Sequence, residues 1–268
     1  MIPAKFDYIK VSSVGEAVNL LEQHGFDAKI LSGGHSLIPA MKLRLSSPEI
    51  LIDISGIAGL DGISEEGNEI VIGANCTHHK IASSKLVNEQ LNIMAQTAKG
   101  IGDLQVRNKG TLGGSLAHAD PASDYPATVL ACDAKIMVQG KNGSRTIEAT
   151  DFFQGIFTTA LGEDEIITAV RFTKVANGNY QKFAQSASRF AVVGVAVVKE
   201  GPKVRIGVTG VTGTPYRATA VENAYNGSSD AAQHAVDGVD VTSDHFADTE
   251  YRSHLAKVYV KRALEALS

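Results

Sequence analysis

Between Ser13 and His24, Val14, Ala17, Val18 and Leu21 recur on one helical face, and Ser13 with Glu16 has the spacing of a capping box, so the pattern predicts a helix over 13–24. "AKIL" then reads as a short buried strand running into Gly33-Gly34. "ILIDIS" (50–55) and "EIVIGANC" (69–76) read as two further strands, the second preceded by a turn at Gly67-Asn68. Val87, Leu91, Met94 and Ala98 step by four, three and four, which predicts one amphipathic helix over 85–99 ending at Gly100.

A long glycine-punctuated segment, 100–127, follows without a clear period; loops of that length are usually functional. "AKIMVQG" and "SRTIEA" flank Asn142-Gly143 and predict a hairpin. "DEIITAVRF" (164–172) reads as a strand, and the unpatterned "TKVANGNY" (173–180) as a boundary. "FAVVGVAVV" (190–198) is apolar on both faces, and "KVRIGVTGV" (203–211) alternates; Gly201-Pro202 joins them as an antiparallel pair. The last segment, 247–267, places Ala256, Val260, Ala263 and Leu267 on one helical face.

Composition narrows the function. With 268 residues, 44% of them hydrophobic, the chain can bury a large core as one large or two small domains. A net charge of −4 and the lack of basic runs give no case for nucleic acid or an anionic membrane. No apolar run approaches the roughly 18 residues of a spanning helix, and the start lacks a signal pattern, so no membrane insertion and a cytoplasmic location are expected. Cys76 and Cys132 are too few to build an iron–sulfur or zinc site and read as reduced packing residues, so no metal site is expected in this chain.

The chemistry concentrates in two glycine segments. Gly33 and Gly34 follow a strand, where backbone N–H groups can converge on an anion, with His35 and Ser36 adding side-chain donors. Taken alone, that motif is a weak signal and reads first as a tight turn without a ligand. Thr111-Leu112-Gly113-Gly114-Ser115 repeats the device, and two such turns could grip one pyrophosphate from two sides. Asp120 and Asp124 lie downstream, where a carboxylate could accept hydrogen bonds from sugar hydroxyls. Competing motifs are absent: no G-x-G-x-x-G, no P-loop and no nucleophile elbow. His78-His79 and the pair His118 and Asp120 are too few for a metal.

"LSGGHSLIPAMKLRL", "VRNKGTLGGSLAHADPASDYPA" and "FADTEYRSHLAKVYVKRAL", with the opening "PAKFDYIKVSSVGEAVNLL", resemble the flavin-binding medium subunit of the molybdenum hydroxylases, of the carbon monoxide dehydrogenase type. The resemblance spans nearly the whole chain. It implies an α+β fold shared with p-cresol methylhydroxylase and vanillyl-alcohol oxidase. That fold has two α/β subdomains (about 1–55 and 56–175) forming an FAD-binding domain over 1–175. A C-terminal domain of antiparallel sheet and helices covers 176–268.

By the same resemblance, noncovalent FAD is held by Ser32, Gly33, Gly34, His35, Ser36 and Leu37 and by Thr111, Leu112, Gly113, Gly114 and Ser115. Asp124 maps near the ribityl chain, and Leu161 and Lys182 near the pyrimidine edge of the flavin. Phe190 maps beside the ring system, where the family often has Tyr or Trp; core packing is the competing reading. The implied role is electron relay, with no acid–base catalyst in this chain. A small [2Fe-2S] subunit feeds electrons from a large molybdopterin subunit, FAD passes them to an external acceptor, and the assembly is a dimer of heterotrimers. A stand-alone oxidase or reductase of the same fold, flavin-linked at His35 in some oxidases, and a non-catalytic nucleotide-binding assembly protein are the alternatives.

Overall fold

The computed structural model describes residues 1–267; Ser268, the final position of the expected C-terminal region, lies outside them. The N-terminal unit contains β1 (Asp7–Lys10), α1 (Val14–His24), β2 (Ala28–Leu31), α2 (Leu37–Lys42) and β3 (Ile50–Asp53). Its strands form a parallel sheet in the order β1-β3-β2, with Ile50 opposite both Asp7 and Ala28. Helix α1 forms as its pattern predicts, burying Ala17, Val18 and Leu21. Ser13 caps it by accepting from the Glu16 amide, while the Glu16 carboxylate reaches one residue further back, to Ser12. Strand β1 lacks a sequence signal because Asp7, Tyr8 and Lys10 are exposed at the sheet edge.

The middle unit begins with β4 (Ile63–Glu66) and β5 (Glu69–Gly73), followed by helices α3 (His78–Ser83), α4 (Lys85–Gln90) and α5 (Asn92–Gly100). The single helix expected over 85–99 is two. Leu91 leaves helical geometry at φ −150°, ψ 49°, fully buried, because its backbone bridges Val175. The segment 100–127, expected to be irregular, carries two short helices, α6 (Leu104–Arg107) and α7 (Leu112–His118), and the start of a third, α8 (Tyr125–Ala131). Then come β6 (Lys135–Gly140), β7 (Gly143–Glu148), α9 (Ala149–Phe152), the short pair β8 (Phe153–Gly155) and β9 (Thr158–Thr159), and β10 (Ile166–Thr173). Five strands form an antiparallel sheet in the order β4-β5-β10-β6-β7. The predicted hairpin is present, turning at Lys141-Asn142 with Gly143 at φ +104°.

The last unit holds β11 (Gly178–Ala184), β12 (Ala191–Glu200), β13 (Lys203–Thr209), β14 (Tyr216–Arg217), α10 (Thr219–Ala224) and α11 (Thr249–Glu265). Its strands form an antiparallel sheet in that order, and the Gly201-Pro202 turn lies where the sequence places it. The apolar run of β12 serves two cores. Val193, Val195 and Val197 pack with Val260 and Leu264 of α11. Ala196 and Val198 join the middle core of Ile70, Met94 and Tyr125. Among the described residues no helix is long and apolar enough to cross a membrane.

Candidate functional site

A cavity of about 620 Å³ opens where the three units meet. The loop after β2 forms one wall, with Ser32, Gly33, Gly34, His35, Ser36 and Leu37 all lining it. Its conformation depends on Gly34, at φ +74°, a left-handed geometry that glycine adopts without penalty. Among the described residues, no protein atom accepts a hydrogen bond from the backbone N–H groups of Gly33, Gly34, His35, Ser36 or Leu37. Five successive open donors beside a cavity are the backbone chemistry of an anion nest.

The second glycine segment differs from its expected form. Gly113 and Gly114 belong not to a strand-adjacent turn but to the first turn of α7, capped by Thr111. Its amides are already used: Leu112 donates to the Cys76 carbonyl at 3.0 Å, Gly113 to Ala74 at 2.8 Å, and Gly114 to Thr111 Oγ1 at 3.2 Å. Gly113 is there for packing, since a Cβ would lie 2.6 Å from that of Ala74. Thr111, Gly113, Gly114 and Ser115 line the cavity; Leu112 is fully buried in the middle core instead. What this segment offers a ligand is hydroxyl chemistry and an unobstructed surface.

The two segments are stitched together. Ser32 Oγ donates to Asn75 Oδ1 at 2.7 Å and lies 3.1 Å from Thr111 Oγ1. A methyl group on Gly33 would overlap the Lys109 carbonyl. Asn75, whose amide also donates to the Ile54 carbonyl at 2.7 Å, is a site residue that the sequence reading missed. It is next to last in the predicted strand 69–76, and nothing local marks it as the link between two loops.

His78 is another. It lines the cavity almost fully buried, and Nδ1 is 3.1 Å from the equally buried Tyr125 hydroxyl. Burial, then the nearby His35 and Arg107 charges, takes its imidazole down to about 3, so it is neutral at physiological pH. The Tyr125 hydroxyl can donate to Nδ1 only if the proton sits on Nε2, which abuts Gly110.

Asp124 lines the cavity at 4% exposure. Burial pushes its carboxyl up, opposed by the Lys182 ammonium and by hydrogen bonds from Lys182 and Tyr180. Lys182 itself does not reach the cavity: its amine sits behind Asp124, 2.8 Å from Oδ1, and also donates to the Gly100 carbonyl. Leu161 lines the cavity with Ile101, Gly102, Val106 and Ile167. Phe190 does as well and is 47% exposed, which removes the core-packing reading. It precedes rather than begins β12, beside Arg189 at φ +63°.

An anion nest, hydroxyls and carboxylates along one wall and aliphatic groups at the other end suit an elongated ligand. It would be diphosphate in the middle, sugar-like on one side and flat and apolar at its end. FAD has that form, and these residues fit it. A dinucleotide-binding α+β flavoprotein is thus the class that fold and cavity define.

Residues 4–174 match the FAD binding domain in molybdopterin dehydrogenase, and residues 178–267 match the CO dehydrogenase flavoprotein C-terminal domain. The chain belongs to this family, the FAD-binding medium subunits of molybdenum hydroxylases of the CO dehydrogenase type, and is an oxidoreductase subunit. It is 42% identical to the carbon monoxide dehydrogenase medium chain of Hydrogenophaga pseudoflava, over 99% of this chain and 98% of that one. It is 37% identical to the nicotine 6-hydroxylase medium subunit of Paenarthrobacter nicotinovorans, over 96% and 95%. A solved chain of the Hydrogenophaga pseudoflava carbon monoxide dehydrogenase lacking the Mo-pyranopterin moiety superimposes with a TM-score of 0.96, covering 100% of this chain and 98% of that one at 42% identity. As a medium chain it has small and large subunit partners.

Proposed function

We propose that this chain is the electron outlet of its complex, taking electrons from [2Fe-2S] clusters of the small subunit and releasing them through FAD to an external acceptor. The observation that carries the site assignment is the run of five open backbone donors at Gly33–Leu37 beside the cavity. In this reading those amides hold the FAD pyrophosphate noncovalently, with His35, Ser36, Thr111 and Ser115 around it. The acceptor capacity left on Asp124 takes a ribityl hydroxyl, and Leu161 and Phe190 flank the flavin ring. FAD supplies chemistry that side chains lack, the exchange of electrons singly and in pairs. The chain's residues bind it, orient it and keep water from its buried face. The arrangement as two heterotrimers, and a cytoplasmic location, belong to the same proposal.

Relatives of similar identity are named for carbon monoxide, nicotine and glyceraldehyde. That spread across one conserved fold supports a substrate choice made in the large subunit. The FAD assignment is tested by titrating flavin-free chain with FAD and with riboflavin, which lacks the pyrophosphate. Several charge-assisted hydrogen bonds at the nest predict FAD binding tighter by at least about 100-fold. Equal affinities would remove the nest from the site.

A further inference from the structure

The buried polar groups of β11 stand outside the cavity yet converge on one of its walls. Tyr180 and Lys182 are two residues apart on one strand, so both side chains leave the same face of the C-terminal sheet. The Tyr180 hydroxyl donates to Asp124 Oδ1 at 2.6 Å. The Lys182 amine lies 2.8 Å from Oδ1 and 3.0 Å from Oδ2. Lys182 and Asp124 side chains are 8% and 5% exposed, so water does not compete for either. Space for the tyrosine hydroxyl is made by Gly194 on β12, where a Cβ would lie 2.6 Å from it.

Two more contacts tie this group to the cavity. The second Lys182 hydrogen bond, to the Gly100 carbonyl at 3.0 Å, holds the end of α5 just before the lining residues Ile101 and Gly102. The Tyr180 amide donates to Gln96 Oε1 at 3.0 Å. The same sheet also holds the backbone before Asp124: the Thr209 hydroxyl lies 2.8 Å from both the Pro121 and the Ser123 carbonyl oxygens and shares its one proton between them.

We infer that Tyr180 and Lys182 are positioning residues for the flavin site, which hold Asp124 as a carboxylate with acceptor capacity left for the cavity. A carboxylate has about four acceptor positions. Hydrogen bonds from Tyr180 to Oδ1 and from Lys182 to Oδ2 fill two of them, which leaves acceptor capacity on a residue that lines the cavity. Without the lysine, burial loses its largest opposing influence and Asp124 takes up a proton, turning an acceptor into a donor. Lys182 thus acts through Asp124 rather than on the flavin. The inference rests on the reading that Asp124 accepts a hydrogen bond from FAD.

The test is FAD affinity of the full-length chain, measured by flavin fluorescence alongside thermal unfolding. The variants are Asp124→Asn, Lys182→Met and Tyr180→Phe, and each of the last two combined with the first. Lys182→Met is expected to weaken binding by about ten-fold or more, Tyr180→Phe by less, and neither to add to Asp124→Asn. Tyr180→Phe removes one oxygen atom and keeps the test open if Lys182→Met does not fold. Weakened binding in Asp124→Asn with wild-type affinity in the partner variants overturns the inference alone, whatever their melting temperatures. So do losses that add fully to that of Asp124→Asn. Wild-type affinity in Asp124→Asn removes the underlying reading and the inference with it.

Discussion

Gly33 and Gly34 stand side by side for different reasons. Gly34 supplies a left-handed turn at φ +74°, whereas Gly33 has no space for a side chain because the Lys109 carbonyl lies against it. Gly33→Ala is therefore expected to cost about 1–3 kcal/mol of stability by forcing the two loops apart. A lowered urea midpoint with an unchanged slope would report it. His78 makes a pH prediction. Its folded pKa of about 3 lies below the usual 6.5, so between those values the unfolded chain binds a proton that the folded chain does not. Stability from this group is present above about pH 6.5 and is lost as pH falls toward 3, by up to about 1.4 kcal/mol per pH unit. His78→Asn should flatten that acid limb in urea midpoints measured from pH 7 to 4. The residue types at the site were legible, because glycine pairs beside hydroxyls are rare enough to notice. Asn75 and His78 were not, because their roles come from partners 43 and 47 positions away along the chain.

At the scale of elements, helix α7 shows how the second glycine segment works. Thr111 accepts from the Gly114 amide at its N-terminus and meets Ser32 across the cleft. Thr111→Val keeps the shape and removes both bonds. It should destabilise the chain by about 1–2 kcal/mol, while Thr111→Ser stays near wild type. Urea unfolding of the two variants checks this, and equal midpoints would remove the cap from the account. Helices α6, α7 and α8 escaped notice since each spans at most two turns, too short for an apolar period to repeat. Long α1 and α11 repeat theirs, and both were readable. The break at Leu91 could not be read, for the side-chain spacing runs unbroken through it while a tertiary bridge to Val175 takes the backbone away.

Across the whole molecule, the C-terminal sheet is structural support for the cavity wall as well as a unit of its own. Its β13 packs on α8 so closely that a Cβ on Gly207 would overlap the Ala127 carbonyl. Gly207→Ala is expected to part these layers, lowering the melting temperature and raising hydrogen exchange in 120–124 and 178–184 together. Exchange rising in one segment alone would mean that sheet and site are not coupled. Strand β12 explains why the coupling is strong: its two faces lie in two different cores.

Much of this protein could be read along the chain. Period and turn chemistry marked α1, β2, β3, β5, the β6–β7 hairpin, β10, β12, β13 and α11, since those signals are local and each element repeats its own. The two glycine segments, by order and resemblance, pointed to FAD and to the family. Folding alone assigned the division of labour between them: open amides in the first, spent amides and hydroxyls in the second. The reason is that an amide's availability depends on which distant carbonyl reaches it, here Cys76 and Ala74 for α7 and none for Gly33–Leu37. The same holds for Lys182, which resemblance set near the flavin and packing set behind Asp124, where a buried charge requires an opposite one within reach.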